Sequence, residues 1–159
     1  MTQSFAEILL LIPAALTTGF VMFVAGVIQG VFNDVDEATF KHWLTELTRH
    51  ALKSPYAIAV SSITFLGMVP YWIFYGLSNG WFSAGLIMWT ITSIISKYTT
   101  IPIYIRVTGR QFPGFRMVPE LKSSEVDQLR EERRNLHRAN ILRSTLSFVS
   151  VILMTIGFY

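Results

Sequence analysis

Cysteine is absent from this 159-residue chain, and so are the local motifs of the common catalytic sites. Without cysteine, neither disulfides nor thiolate metal ligands can form. The chain also has no glycine-rich phosphate loop, nucleophile elbow, HExxH helix or dinucleotide fingerprint. Catalysis through one of these known motifs is therefore not supported, and no cofactor is expected.

Charge is scarce too, and it is confined to part of the chain. Only 14% of the residues are charged while 52% are hydrophobic, which is too apolar for an ordinary soluble domain. All 13 Lys and Arg residues fall between Lys41 and Arg143, and no charge occurs from Ser54 to Ser96. This distribution is typical of a membrane protein with a fixed orientation. Basic residues at a membrane boundary also explain the net charge of +3, so we expect membrane lipid and not nucleic acid as a partner.

Long apolar runs predict four membrane spans, at approximately 6–32, 56–78, 80–98 and 136–158. A helix needs about 20 residues to cross about 30 Å of hydrocarbon. The second and third spans are separated by a predicted turn at Ser78, Asn79 and Gly80. The fourth has to begin near Leu136, because only 16 residues follow Arg143. We therefore predict an all-α fold, an integral membrane antiparallel four-helix bundle formed by the single domain 1–159.

Four spans place both charged connections on one side of the membrane, which the distribution of Lys and Arg identifies as the cytoplasm. Both termini are then outside. The first span is expected to be retained, because Met1 to Phe5 carries no Lys or Arg and the apolar run is too long for a signal peptide.

The two connections have different predicted structures. In the first, Asp36 is the predicted cap of an amphipathic helix, on which Phe40, Leu44 and Leu47 share the apolar face. The second begins around Lys97, and its proline and glycine content predicts irregular structure through Pro119. A charged helix, for which Ser124 is the predicted cap, is then expected to continue into the fourth span.

Small residues at Ala15, Gly19, Gly26 and Gly30 lie close to one face of the first span. Such a face lets two helices approach closely in lipid. We favour packing inside the bundle, and contact with a second copy or with a larger membrane complex is the alternative. Near the predicted Asn79 turn, aromatic residues form an expected belt at the membrane interface, made of Tyr71, Trp72, Phe74, Tyr75, Trp81 and Phe82.

Two groups of polar side chains could carry chemistry. His42, Glu46 and His50 recur at every fourth position of the first connection, and His with a carboxylate is a ligand set for Zn, Fe or Cu. However, His42 and His50 are about 12 Å apart along a helix, so they could share one ion only if Glu46 or His137 closed the gap. A solvated polar stripe is the preferred interpretation.

The second group opens the fourth span, where His137, Asn140 and Arg143 are spaced by threes. A guanidinium within the membrane is costly, so it either pairs inside the bundle or reaches the lipid headgroups. If the group faces inward it could bind a ligand or handle protons. Its expected neighbours are then the candidate ligand-binding residues Asn33, Tyr98, Tyr104 and Arg106.

Two segments of the chain carry a family resemblance: NDVDEATFKHWLTELTRHALKSP, and the opening of the last helix, RRNLHRANILRSTLSF. Together with the glycine-rich first span, they resemble a family of small four-helix membrane proteins, mostly a domain of unknown function, that includes the anthrone oxygenases. Asn140 and Arg143 match the Asn-x-x-Arg of that family. The resemblance implies oxidation of a phenolic anthrone to a quinone with O2 and without a bound cofactor.

These observations leave two functional hypotheses open. In the first, the protein binds or oxidises a hydrophobic, phenolic or quinone-like molecule in a cytoplasm-facing pocket. Asn140 and Arg143 would polarise an oxygen of the substrate, and His42, His50 or His137 would act as the base. In the second, the protein is a non-catalytic accessory subunit of a larger membrane assembly.

Overall fold

The computed structural model describes residues 2–111 and 126–158, and these residues form helices and no strand. Within these ranges there are five helices: α1 (Gln3–Asn33), α2 (Glu37–Ala51), α3 (Pro55–Tyr75), α4 (Gly80–Thr108) and α5 (Val126–Ile156). A short π-helical segment, Val24–Ile28, interrupts α1. The all-α prediction is therefore confirmed for the described residues. The predicted cap Ser124 lies outside them, but α5 does run without a break from the charged segment into the apolar one.

Three helices, α1, α3 and α5, are long and apolar enough to cross a membrane, which supports a membrane protein. The predicted third span, 80–98, lies in α4, which is not among these three. The helix contains many hydroxyl side chains, which lower the hydropathy of its apolar segment. Most of them donate a hydrogen bond to the carbonyl four residues earlier, as Thr90 does to Leu86 at 3.0 Å, Thr92 to Met88 at 2.9 Å and Ser96 to Thr92 at 2.9 Å.

The second connection begins later than predicted. Irregular structure was expected from about Lys97, but α4 continues to Thr108 and ends at Gly109, a left-handed residue with φ of 69°. Pro102 removes one backbone hydrogen bond from the helix. Tertiary contacts outweigh this cost, because Ile105 and Val107 beyond the proline are fully buried.

The long helices pack in antiparallel pairs. The Oγ1 of Thr18 in α1 donates to the carbonyl of Ser147 in α5, and the side chain of Leu10 in α1 lies against Gly67 in α3. Helices α4 and α5 also approach closely, and there Ser150 Oγ donates to the carbonyl of Gly85 at 2.7 Å. These pairings give the molecule a turn end, with Thr2 and the 76–79 turn, and a charged end, with α2 and the start of α5.

Asp36 caps α2 as predicted, because its Oδ1 accepts hydrogen bonds from the backbone N–H groups of Ala38 and Thr39, at 3.0 and 2.9 Å. The face of α2 that contains Phe40 and Leu44 is buried in a core cluster at the charged end. A second core cluster, around Leu10, Phe82 and Met154, lies at the turn end. Polar side chains that lie near either core cluster are therefore surrounded by packed helices.

Candidate functional site

A buried carboxyl group lies at the turn end of the molecule. Glu7 lies within the predicted first span, and its side chain is buried, with only 4% exposed. Its Oε1 accepts three hydrogen bonds, from Tyr71 Oη at 2.8 Å, Asn79 Nδ2 at 2.9 Å and Gln3 Nε2 at 3.0 Å. We call these four residues the carboxyl cluster. Ionisable groups at membrane depth are costly, and they more often serve function than packing.

The carboxyl cluster adjoins an apolar cavity of about 520 Å³ between α1 and α3. The residues that line it are Ala6, Leu9, Leu10, Ile63, Gly67, Pro70, Tyr71, Phe74 and Tyr75. Tyr71 belongs both to this lining and to the carboxyl cluster. The cavity therefore combines apolar walls with a hydrogen-bonding group that is held by a buried acid, which is the usual composition of a small-molecule site.

The predicted aromatic belt is only partly a membrane-facing belt. Phe74 and Trp81 are well exposed, at 78% and 58%. Tyr71 and Phe82 are buried, and their ring centroids are 5.2 Å apart. The prediction is wrong for these two residues, because both belong to the core cluster at the turn end, which also includes Leu10 of α1 and Met154 of α5.

A second buried polar group connects α1 with α5, and we call it the amide cluster. Asn140 Nδ2 donates to Gln29 Oε1 at 3.2 Å, and Gln29 Nε2 donates to Asn33 Oδ1 at 3.2 Å. Arg143 Nη2 donates to Asn140 Oδ1, also at 3.2 Å. Gln29 and Asn140 are completely buried, whereas Asn33 is exposed. The cluster thus links the predicted residues Asn33, Asn140 and Arg143 through Gln29.

The π segment explains why Gln29 points inward. Buried positions on α1 follow helical spacing through Thr18, Val21 and Val24, but the next one, Gln29, comes five residues later. A π turn accommodates one extra residue, so it rotates the rest of the helix back onto the same face. Without it, Gln29 would point away from Asn140.

His137, the third predicted catalytic residue, is half-buried, and no hydrogen bond joins it to the amide cluster within the described residues. Its Nδ1 and the Nε of Arg143 are buried nitrogens without a hydrogen-bond partner among the described residues. Neither the α1–α3 cavity nor the second cavity, between α4 and α5, is lined by His137, Asn140 or Arg143. Their catalytic role stays a prediction.

The second cavity, of about 340 Å³, contains two of the predicted ligand-binding residues. Its lining is Tyr98, Thr99, Pro102, Ile103 and Arg106 from α4, with Asn135, Arg138, Ala139 and Leu142 from α5. Arg106 is held by Glu132 through two hydrogen bonds, from Nε at 2.6 Å and from Nη2 at 2.8 Å. Tyr104 lies elsewhere, against the core cluster at the charged end.

The three candidate metal ligands lie along α2. Glu46 pairs with Arg49, and its Oε2 is 3.8 Å from the Nε2 of His50. His42 and His50 are exposed. Across residues 2–111 and 126–158, no three His, Cys, Asp or Glu side chains come together as a metal site.

Ion pairs and backbone caps join α2 to α5 at the charged end. Arg133 donates to the carbonyls of Phe32 and Val35, at 3.0 and 2.7 Å, and to Glu37 Oε1 at 3.1 Å. The pKa of Glu37 lies below its usual value because its own backbone N–H and the Arg130 guanidinium favour the charged form. The pKa of Asp36 is lowered as well, by hydrogen bonds from the backbone and hydroxyl of Thr39.

Two central residues, Glu7 and Gln29, were missing from the sequence-based candidates. A signal for Glu7 was present, because it is the only acidic residue within the four predicted spans. Gln29 had no such signal, since ordinary helical periodicity does not anticipate a π turn.

The carboxyl cluster, the amide cluster and the two cavities are thus established by the geometry of this chain alone. Comparison of the chain with protein-family models, with curated proteins and with solved structures finds no match.

Proposed function

We propose that this protein is an integral membrane protein that binds an apolar small molecule with a hydroxyl group, of the phenolic class, in the α1–α3 cavity. One observation carries the proposal: an apolar cavity of about 520 Å³ meets Tyr71, whose hydroxyl is hydrogen-bonded to the buried Glu7. Apolar walls would hold the body of the ligand, and the carboxyl cluster would orient its oxygen. This places the site at the turn end, whereas the sequence favoured the charged end.

The hydrogen bonds of Tyr71 favour a phenol over a quinone. A tyrosine hydroxyl has one proton to donate and lone pairs to accept with. Since Tyr71 donates its proton to Glu7 at 2.8 Å, it can only accept from a ligand. A phenol offers a proton to such a group and a quinone oxygen does not.

Oxidation of a phenol by O2 at the amide cluster, away from the α1–α3 cavity, is a finer proposal, and the family resemblance is its support. In that role Asn140 and Arg143 would polarise the substrate oxygen and a histidine would take up the proton. Both residues lie outside the α1–α3 cavity, so binding and oxidation can be tested separately.

Binding of radiolabelled 2-naphthol to the purified protein tests the proposal, with 1,4-naphthoquinone as competitor. Ile63 lines the cavity and Leu66 does not, and both are lipid-facing, at 47% and 75% exposure. We expect Ile63→Trp to fill the cavity and weaken 2-naphthol binding roughly tenfold. Leu66→Trp should bind 2-naphthol as wild type does. Tyr71→Phe should weaken naphthol binding by about fivefold, and the quinone should compete poorly. Non-saturable binding, or equal behaviour of the two Trp variants, contradicts the proposal.

The finer fold is also proposed: a four-helix antiparallel bundle in which α4 is the fourth crossing and α2 lies as an amphipathic helix on the cytoplasmic side. The 29 residues of α4 would extend about 43 Å, more than a bilayer core requires. Its hydroxyls donate within the helix, which lowers the cost of exposing them to lipid. Both termini outside and both charged connections inside then follow from the distribution of Lys and Arg.

An open glycine face favours a second candidate function, that of an accessory subunit. A side chain added at Gly19, Gly26 or Gly30 would meet nothing within 4 Å, so packing inside the described structure does not use this face. Close approach of a second helix would use it. We expect Gly26→Leu to reduce chemical crosslinking in membranes to a partner or a second copy, whereas Gly80→Leu, at an equally open glycine, should not. If crosslinking of Gly26→Leu is unchanged, the glycine face is not the surface that contacts a partner.

A further inference from the structure

We infer that the α4–α5 cavity binds the phosphate group of an anionic phospholipid from the leaflet at the charged end. This inference is independent of the phenol site, because the cavity lies between other helices and shares no lining residue with it. Its volume, about 340 Å³, is sufficient for a headgroup and the start of an acyl chain but not for a whole lipid. The rest of the lipid would remain in the bilayer.

Cationic and hydrogen-bonding groups line the cavity from the charged end to its middle. Arg106 and Arg138 line it together with the amide of Asn135. Glu132 neutralises Arg106 and holds its Nε and Nη2. Arg138 is exposed, and it forms no ion pair with any of the described residues. Arg138 is therefore the main cation available to a phosphate, and guanidinium groups bind phosphate oxygens in pairs.

The opposite end of the cavity carries no charged side chain. Because α4 and α5 are antiparallel, Arg106 and Asn135 lie toward the charged end while Leu142 and Tyr98 lie about 10 Å deeper along the helices. Leu142 is 46% exposed and Tyr98 is 73% exposed, so this end is open to lipid. A free phosphate would use only the polar end. A phospholipid matches both ends, with the headgroup at Arg138 and a chain along Leu142.

The charge of the membrane points to the same occupant. In the proposed orientation the charged end faces the cytoplasm, whose leaflet carries anionic lipids, and a basic pocket between membrane helices on that side is a recognised type of headgroup site. Each Arg near such a surface contributes about fivefold to lipid binding. A neutral zwitterionic lipid would bind the same groove more weakly.

Two matched pairs of variants test the inference by lipid retention in native mass spectrometry and by thermal stabilisation in detergent. The added lipid is phosphatidylglycerol or phosphatidylcholine. Arg138→Gln removes a lining cation, and Arg134→Gln removes an exposed cation of the same helix outside the cavity. Leu142→Trp fills the cavity, and Ile141→Trp changes a neighbour of similar exposure, 48% against 46%, that does not line it.

We expect wild type to retain phosphatidylglycerol about fivefold better than phosphatidylcholine, and Arg138→Gln and Leu142→Trp each to abolish this preference. The two control variants should keep it. If Arg138→Gln and Arg134→Gln lost this preference equally, the preference would come from general surface charge, which would overturn the inference. Retained preference in Leu142→Trp would overturn it too, as would equal stabilisation by soluble glycerol 3-phosphate, which would make the ligand a free phosphate.

Discussion

Glu7 shows how a single side chain can define a site inside an apolar domain. Its carboxyl is buried, and three donors from α1, α3 and the start of α4 converge on one oxygen. Asn79 also donates to the carbonyl of Gly157, so the same cluster reaches the end of α5. A residue of this kind both orients Tyr71 beside the cavity and connects the helices at the turn end.

Replacing Glu7 tests how much this carboxyl contributes to stability. In Glu7→Leu the Tyr71 hydroxyl loses its buried acceptor, which we expect to lower the free energy of unfolding by about 2 kcal/mol. Glu7→Gln keeps an acceptor oxygen in place, so it should cost less than half as much. Unfolding by sodium dodecyl sulfate titration measures both variants. A Glu7→Leu protein as stable as wild type would show that the hydrogen bonds seen at this carboxyl contribute nothing to stability.

At the scale of elements, Gly85 controls how closely α4 and α5 can approach. A Cβ at this position would lie 2.8 Å from the backbone N of Met154 and 2.8 Å from the carbonyl of Ser150. Backbone atoms cannot move aside as a flexible side chain can. Gly85→Ala should therefore destabilise the protein by about 1–3 kcal/mol through overpacking.

Gly19 provides the control for Gly85, because a Cβ there meets nothing within 4 Å. Gly19→Ala should be neutral or stabilise α1 by about 0.5 kcal/mol, since alanine has the higher helix propensity. The two variants can be compared in the same detergent titration. If they behave alike, α4 and α5 are not in tight contact at Gly85.

The cap of α2 predicts a dependence of stability on pH. The pKa of Asp36 is lowered from its ordinary value of 3.8. The contribution of Asp36 to folding stability is therefore fully present above that pH, and it is lost as the pH falls through the lower pKa of the folded state. Wild type should therefore lose thermal stability below about pH 4. Asp36→Asn keeps a capping oxygen that does not titrate, and it should lose less over the same range. Glu37, whose pKa is also lowered, accounts for the acid sensitivity that remains.

At the scale of the whole molecule, the side of the membrane on which α4 ends decides between three and four crossings. The absence of cysteine makes the test direct, because single cysteines can be introduced without removing others. Cysteines at Thr2 and Ser78 should react with a membrane-impermeant maleimide on intact cells, and those at His50 and Gln111 only after permeabilisation. Labelling of Gln111→Cys from outside would mean that α4 does not cross.

Prediction from sequence succeeded where local chemistry decides. Asp36 as a cap, the turn at Asn79 and the long apolar helices follow from side-chain capping, from turn residues and from hydrophobic runs. It failed at α4 beyond Lys97. Pro102 is a local signal against a helix, whereas the burial of Ile105 and Val107, which favours the helix, depends on tertiary packing. It placed Asn33, Asn140 and Arg143 in one neighbourhood but left out Gln29, through which they are connected.

By itself, the sequence determined that this is an all-helical chain suited to a membrane, with basic residues confined to a few segments. Those properties are sums over residues, so no contact is needed to read them. Only the tertiary structure decided where the polar groups converge. The side chains around Glu7 come from positions up to 72 residues away from it, and the pairing of Arg138 with Tyr98 in one cavity depends on the register between α4 and α5. Such convergence depends on how the helices pack, which no local pattern in the chain encodes.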